Sequence, residues 1–216
     1  MAFTDAVKTL VDGQYEDRMK VLIEKLDMVA HPEGGFFREM YRSGAPTMES
    51  MGRTDPRGEL MPTCLGDRNQ LTSMYWMANQ DAPILKMGVN VSMHIHYFNG
   101  GAPFRYYLIA PSGEVSEVIL GPDPARGHVQ QMIVPSDTYK FGRLERPEAD
   151  FMASSKRFVL VSEAVVPGFD FGDFHWVTEE MLRGRLGAAS SSFDKFAAFL
   201  YEAPGDRGFD RFYSKE

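Results

Sequence analysis

Apolar residues recur at steps of three and four from Met19 through Leu22, Ile23, Leu26 and Val29, the stripe of an amphipathic helix. His31-Pro32 closes that stripe, because the residue before a proline avoids the helical region. The pattern then changes period. Phe36-Phe37-Arg38-Glu39-Met40-Tyr41-Arg42, aromatic and short, reads as a strand entered through the flexible pair Gly34-Gly35. Further strand candidates are Leu71 to Met77, Ile84 to Val91, His94 to Phe98, Phe104 to Ala110, Val115 to Leu120, Gln131 to Val134 and Phe158 to Val166. Pro111-Ser112-Gly113 separates two of them as a hairpin turn. Short runs at this spacing predict an all-β sandwich or barrel rather than a parallel α/β sheet.

Two segments break the β pattern. Residues 43–69 carry Pro46, Pro56 and Pro62 among several glycines and scattered charges, and read as a long surface loop or arm. Beyond Val177 the helical period returns: Thr178 before Glu179 and Glu180 is a cap with a favourable first turn, and Phe193, Phe196, Ala197 and Leu200 form a stripe. The expected organisation is an N-terminal extension over 1–18, one barrel domain over 19–178 and a C-terminal helical extension over 179–216.

Composition narrows the function classes. With 23 basic against 30 acidic residues the net charge is -7, so the chain repels phosphate backbones and anionic lipid, and neither nucleic acid nor a membrane is an expected partner. Cys64 is the only cysteine, which excludes an intramolecular disulfide and a thiolate zinc cluster. No run of apolar residues is long enough to span a bilayer, and the first residues lack a secretory pattern; a cytoplasmic location is expected.

Candidate chemistry concentrates in two places. His94-Ile95-His96 puts two imidazoles on one face of a strand, the spacing a metal site could use, although the sequence offers only His128 as a third ligand. The bland alternative is that one histidine faces a pocket and the other faces solvent or an interface. His31-Pro32-Glu33-Gly34-Gly35 followed by Arg38 combines a fixed backbone, permissive glycines and polar groups, a turn able to present His31, Glu33, Gly34 and Arg38 to a ligand.

The His31 to Phe36 motif, Ser73-Met74-Tyr75-Trp76, Gln131-x-x-Val134-Pro135 and Val165-Val166-Pro167-Gly168-Phe169-Asp170-Phe171-Gly172-Asp173-Phe174 together resemble the Cupin_5 family, the cupins of domain-of-unknown-function group 985. The resemblance runs from about Met19 to Val177. It implies a mainly β fold, a double-stranded β-helix or cupin jelly-roll barrel, here with an N-terminal helix and C-terminal helices. It further implies a pocket inside the barrel, a homodimer, and distant kinship with sugar-nucleotide epimerases, isomerases, auxin-binding proteins and germins. A gapless register from Ser73 to Gly100 sets Met87 and Met93 where metal-dependent relatives carry a His and a Glu, and keeps His96 as a family histidine. Thioethers replace imidazole and carboxylate poorly for Fe, Mn, Ni or Zn, and fill irregular pocket walls well.

The expectation is therefore a small polar ligand of sugar, nucleotide-sugar or organic-acid type bound without metal or cofactor, with isomerase-like or epimerase-like chemistry as one use of the pocket. His96 is the candidate base and Tyr75, Tyr107 and Tyr139 are candidate acids. His31, Glu33, Gly34, Arg38, Lys86, Met87, Met93, Gln131 and Glu163 are the candidate ligand contacts. The alternatives are a metal-dependent enzyme using His94 and His96, and a non-catalytic interaction module.

Overall fold

The computed structural model describes residues 18–43, 68–145, 157–187 and 191–201, so the expected arm over 43–69 lies almost wholly outside the described residues. Residues 18–25 are helical (α1). The strands are β1 (Val29–Ala30), β2 (Phe36–Arg42), β3 (Thr72–Asn79), β4 (Ile84–Asn90), β5 (Met93–Gly101), β6 (Phe104–Ile109), β7 (Val115–Leu120), β8 (Gln131–Val134), β9 (Tyr139–Leu144), β10 (Phe158–Val166) and β11 (Phe174–Trp176). Two helices follow, α2 (Glu179–Leu186) and α3 (Ser192–Ala197).

The strands form two antiparallel sheets, in the orders β1-β2-β3-β10-β5-β8 and β11-β4-β9-β6-β7. Apart from β1-β2-β3 and the β6–β7 hairpin, sequence neighbours fall in different sheets, so the chain crosses repeatedly between them, and the result is the jelly-roll barrel. Alternation along each strand sorts the side chains. Trp76, Phe104, Tyr106, Leu120, Val159 and Val161 fill the space between the sheets. The intervening residues Tyr75, Met77, Phe158 and Leu160 point out of the first sheet and are covered by α1 through Met19, Leu22 and Ile23. Out of the second sheet point Met87, Tyr107, Ile109, Tyr139 and Phe141, covered by Leu182, Phe196 and Phe199 of the C-terminal helical region.

Several local expectations hold. Thr178 accepts a hydrogen bond from Met181 N as the α2 cap, and Gly113 turns the β6–β7 hairpin at φ 84°. The first helix stops earlier than the His31-Pro32 signal implied, and Val29 belongs to β1 instead. Strands β9 and β11 lie outside the runs expected from sequence. In β9, Tyr139-Lys140-Phe141-Gly142-Arg143-Leu144, the glycine and two charges mask the alternation. Gly142 is needed there because a Cβ would run into the Arg105 carbonyl of the neighbouring strand.

A histidine–carboxylate–lysine cluster as candidate functional site

One end of the interior is polar. On β5, His94 and His96 share the inward face, and β10 places Glu163 directly opposite His96. The second sheet contributes Lys140 from β9. All four side chains are buried, His96 completely at 0% exposure. Glu163 divides its oxygens: Oε2 lies 3.2 Å from His94 Nδ1, and Oε1 lies 3.3 Å from His96 Nδ1. Lys140 Nζ stands 3.6 Å from Glu163 Oε2 and 3.4 Å from His96 Nε2. Tyr106 Oη completes the set, 3.5 Å from His96 Nδ1.

Donor and acceptor capacity fixes the proton positions. An ammonium can only donate, so His96 Nε2 must accept from Lys140 and its Nδ1 carries the hydrogen. Burial and the neighbouring Lys140 drive the His94 imidazole below its ordinary pKa, while burial, opposed by Glu163, takes His96 down to about 3; both rings are neutral. Burial acts to raise Glu163, but the surrounding imidazoles and Lys140 outweigh it and hold the carboxyl well below its usual range. An ionised Glu163 accepts from His94 Nδ1–H, which leaves the His94 Nε2 lone pair, and that atom has no hydrogen-bond partner among the described residues. Burial keeps the Tyr106 phenol protonated, well above its normal pKa.

A cleft of about 680 Å³, counting its open mouth, leads to this cluster. Phe37, Met74, Trp76, Leu85, Phe169 and Phe171 give it apolar walls, and its polar lining includes His31, Glu33, His94, Lys140 and Glu163 beside Glu39, Thr72 and Asn90. Glu33 arrives on the tight turn between β1 and β2, where His31 N donates to Gly35 O at 2.8 Å and Glu33 N to His31 Nδ1 at 3.2 Å. Gly34 and Gly35 adopt φ of 113° and 80°, which side chains rarely tolerate. Trp76 Nε1 donates to Gly34 O at 2.9 Å, and Lys86 N donates to Glu33 O at 2.7 Å, so the turn is tied to both sheets. Burial pushes the Glu33 carboxyl up to about 7. Two carboxyls with opposed shifts, Glu33 and Glu163, thus line one cleft.

The family model described as Cupin superfamily (DUF985) matches residues 20–177. The chain belongs to this family. Among relatives of this cupin, the uncharacterized protein YML079W of Saccharomyces cerevisiae is 34% identical over 165 residues, 75% of this chain and 76% of that protein. A hypothetical protein from Leishmania major superposes with a TM-score of 0.67 at 22% identity, over 85% of this cupin and 98% of its own chain. Protein SO0799 from Shewanella oneidensis gives 0.61 at 25% identity, over 81% and 94%.

The barrel redistributes the residues singled out from sequence. His31, Glu33 and Glu163 do line the cleft, but His94 lines it and His96 does not, reversing the expected ranking of the two. Neither histidine faces solvent, and His128 is remote, its Nδ1 accepting from Asp123 N in the loop after β7. Tyr75, Tyr107 and Tyr139 all point out of the sheets into the layers beneath the helices; strand parity gives the interior to Tyr106. Met87 is also outside. A bulge between Leu85 and Gly88 shifts the alternation, and Met87 packs with Phe141 and Phe196. Met93 shares the outward face of β5 with Ile95. Lys86 donates to Ala198 O and Leu200 O, each at 3.1 Å, and so anchors the C-terminal segment. Arg38 is exposed and pairs with Asp27 at 2.8 Å, and Gln131 is exposed on the edge strand β8. Gly34 serves the turn through its backbone. Lys140 was missed; its only sequence signal is its position next to Tyr139 in an unrecognised strand.

Metal-dependent cupins invite a test of fit. His94, His96 and Glu163 offer ligand atoms within 4.8 Å of one another, all buried, a two-histidine-one-carboxylate set. The arrangement nevertheless does not suit a metal. Both Nδ1 atoms carry hydrogens toward Glu163, and the remaining lone pair of His96 is taken by the Lys140 ammonium. A divalent ion about 4 Å from that ammonium would meet repulsion of roughly 8 kcal/mol at an effective dielectric constant of about 20.

Proposed function

We propose that this cupin binds a small polar molecule of sugar, nucleotide-sugar or organic-acid type in the barrel cleft without a metal, and moves a proton on it in an isomerase-like or epimerase-like reaction. The observation that carries this reading is His94: a buried, neutral imidazole whose Nδ1–H is oriented by Glu163 and whose Nε2 lone pair has no partner among the described residues. That is the arrangement of a general base held in one tautomer by a carboxylate. Lys140 supplies positive charge beside it for a ligand carbonyl or carboxylate oxygen. Glu33, with its carboxyl near 7, can hold or release a proton at neutral pH.

The chemistry balances without a redox partner. His94 Nε2 takes the proton from a carbon beside a carbonyl, the C–H electron pair moves onto the carbonyl oxygen, and Lys140 stabilises the developing charge. Glu33 returns a proton to the carbon, and His94 and Glu33 re-equilibrate through water. The aromatic walls Phe37, Trp76 and Phe169 bury the rest of the ligand. We include the homodimer in this proposal, supported by Ile133 and Tyr97, which stand exposed at and beside the β8 edge.

A thermal-shift screen of sugar phosphates, nucleotide sugars, organic acids and amino acids tests binding. Hits then enter ²H₂O for proton NMR. Carbon-bound deuterium that disappears with His94→Gln supports the proton-transfer reading; binding without exchange reduces the protein to a binding module. Stoichiometric Fe, Mn, Ni or Zn in untagged wild-type protein would overturn the metal-free reading.

A further inference from the structure

We infer that Lys140 is a built-in cation occupying the place of a metal ion, and that His94, His96 and Glu163 beneath it constitute a latent divalent-metal site. This rests on the metal-free reading of the cleft but goes past it, by naming the group that keeps metal out and the ligands that would otherwise take it up. Three buried residues from two strands converge on one point, with ligand atoms no more than 4.8 Å apart. A transition ion bonds such atoms at about 2.1 Å, which sets tetrahedral ligands about 3.4 Å apart, so side-chain rotation of up to about 1.4 Å closes the set. Lys140 reaches that point from the opposite sheet and touches two of the three ligands, at 3.4 Å and 3.6 Å.

The placement accounts for each proton in the cluster. With an ammonium against both, Glu163 has a cationic partner, His96 must present Nε2 as an acceptor, and both Nδ1 atoms are free to orient Glu163. Removing the ammonium leaves Glu163 as an uncompensated buried anion flanked by two neutral imidazoles. That is the charge and donor set that binds a borderline divalent cation.

The test compares wild type with Lys140→Ala and Lys140→Gln, untagged. Each is dialysed against Mn²⁺, Co²⁺, Ni²⁺ or Zn²⁺ and analysed by elemental content, calorimetry and, for cobalt, the visible ligand-field spectrum. The expected result is far less than one ion per chain in wild type. Either Lys140 variant should hold one ion at least 100-fold more tightly, and adding His94→Ala or Glu163→Gln should abolish the gain. Folded Lys140 variants that stay metal-free overturn the inference while leaving the metal-free reading standing. Stoichiometric metal in wild type that depends on His94 and Glu163 overturns both. Nitrogen-15 NMR of wild-type histidine offers a check that does not depend on the variants folding: His96 must show a protonated Nδ1 and a bare Nε2, and the reverse tautomer sinks the inference.

Discussion

Lys140 and Glu163 meet across the barrel from opposite sheets, Nζ to Oε2 at 3.6 Å, both buried. Removing one member leaves the other charged and unpaired, at a cost of roughly 3–5 kcal/mol. Lys140→Ala and Glu163→Ala should each fall in that range by urea denaturation, with Glu163→Ala the worse because it also strands two imidazole hydrogens. The double variant should show coupling of about 1–3 kcal/mol. Additive losses would mean that the two charges do not interact.

The two histidines should separate by phenotype. His96 is enclosed and contacts Tyr106, Lys140 and Glu163, so His96→Ala is expected to lose roughly 2–4 kcal/mol. His94→Gln can keep a hydrogen bond to Glu163 and should stay within about 1 kcal/mol of wild type, since one neutral donor to the carboxylate replaces another. It should nevertheless lose the deuterium exchange. Exchange that survives His94→Gln and vanishes in a folded His96 variant would assign the base to His96.

Gly35 sits at φ 80° with its α-carbon facing the Met77 carbonyl, which a Cβ would overlap. Gly35→Ala therefore combines a strained backbone with a clash and should cost about 2–4 kcal/mol. Because the same turn carries Glu33, ligand affinity should fall along with stability. A neutral substitution would show that the turn relaxes freely.

The shifted groups make stability depend on pH with opposing signs. Glu33 has its carboxyl raised from 4.5 to about 7, so between those values the folded state holds a proton that the unfolded chain has lost. Its contribution declines by about 1.4 kcal/mol per pH unit as pH rises through that window. His96, lowered from 6.5 to about 3, works the other way: unfolding takes up a proton between those values, and stability is lost as pH falls from 6.5. Glu33→Gln removes only the first effect. Denaturation from pH 4.5 to 7 should show Glu33→Gln gaining on wild type by about 1.4 kcal/mol per unit. A constant difference would place the Glu33 carboxyl at its ordinary value.

The barrel was legible because its strands announce themselves locally. Phe104 to Ile109, Val115 to Leu120 and Gln131 to Val134 combine β-formers with turn residues at their ends, and the His31 and Pro167 motifs supplied the family. The site was harder, because it depends on which residue of an adjacent pair faces inward. Tyr106 against Tyr107 and Lys140 against Tyr139 are decided by parity, and parity depends on the pairing of β6 and β9 within the second sheet. At Met87 a bulge defeats the count. The pairing of His94 and His96 could be read, since their spacing puts both on one face. Glu163 as their common partner could not, because nothing local sets β10 beside β5 in that register.

A cation held by four methylene groups and a backbone neither dissociates nor exchanges. If Lys140, set against His96 and Glu163, stands in for an ion as inferred, the polar end of the barrel has no binding equilibrium of its own to satisfy before a ligand arrives. On the metal-free reading proposed above, chelators, the local supply of iron or zinc, and the oxidation state of a bound ion are all variables to which this pocket should be indifferent.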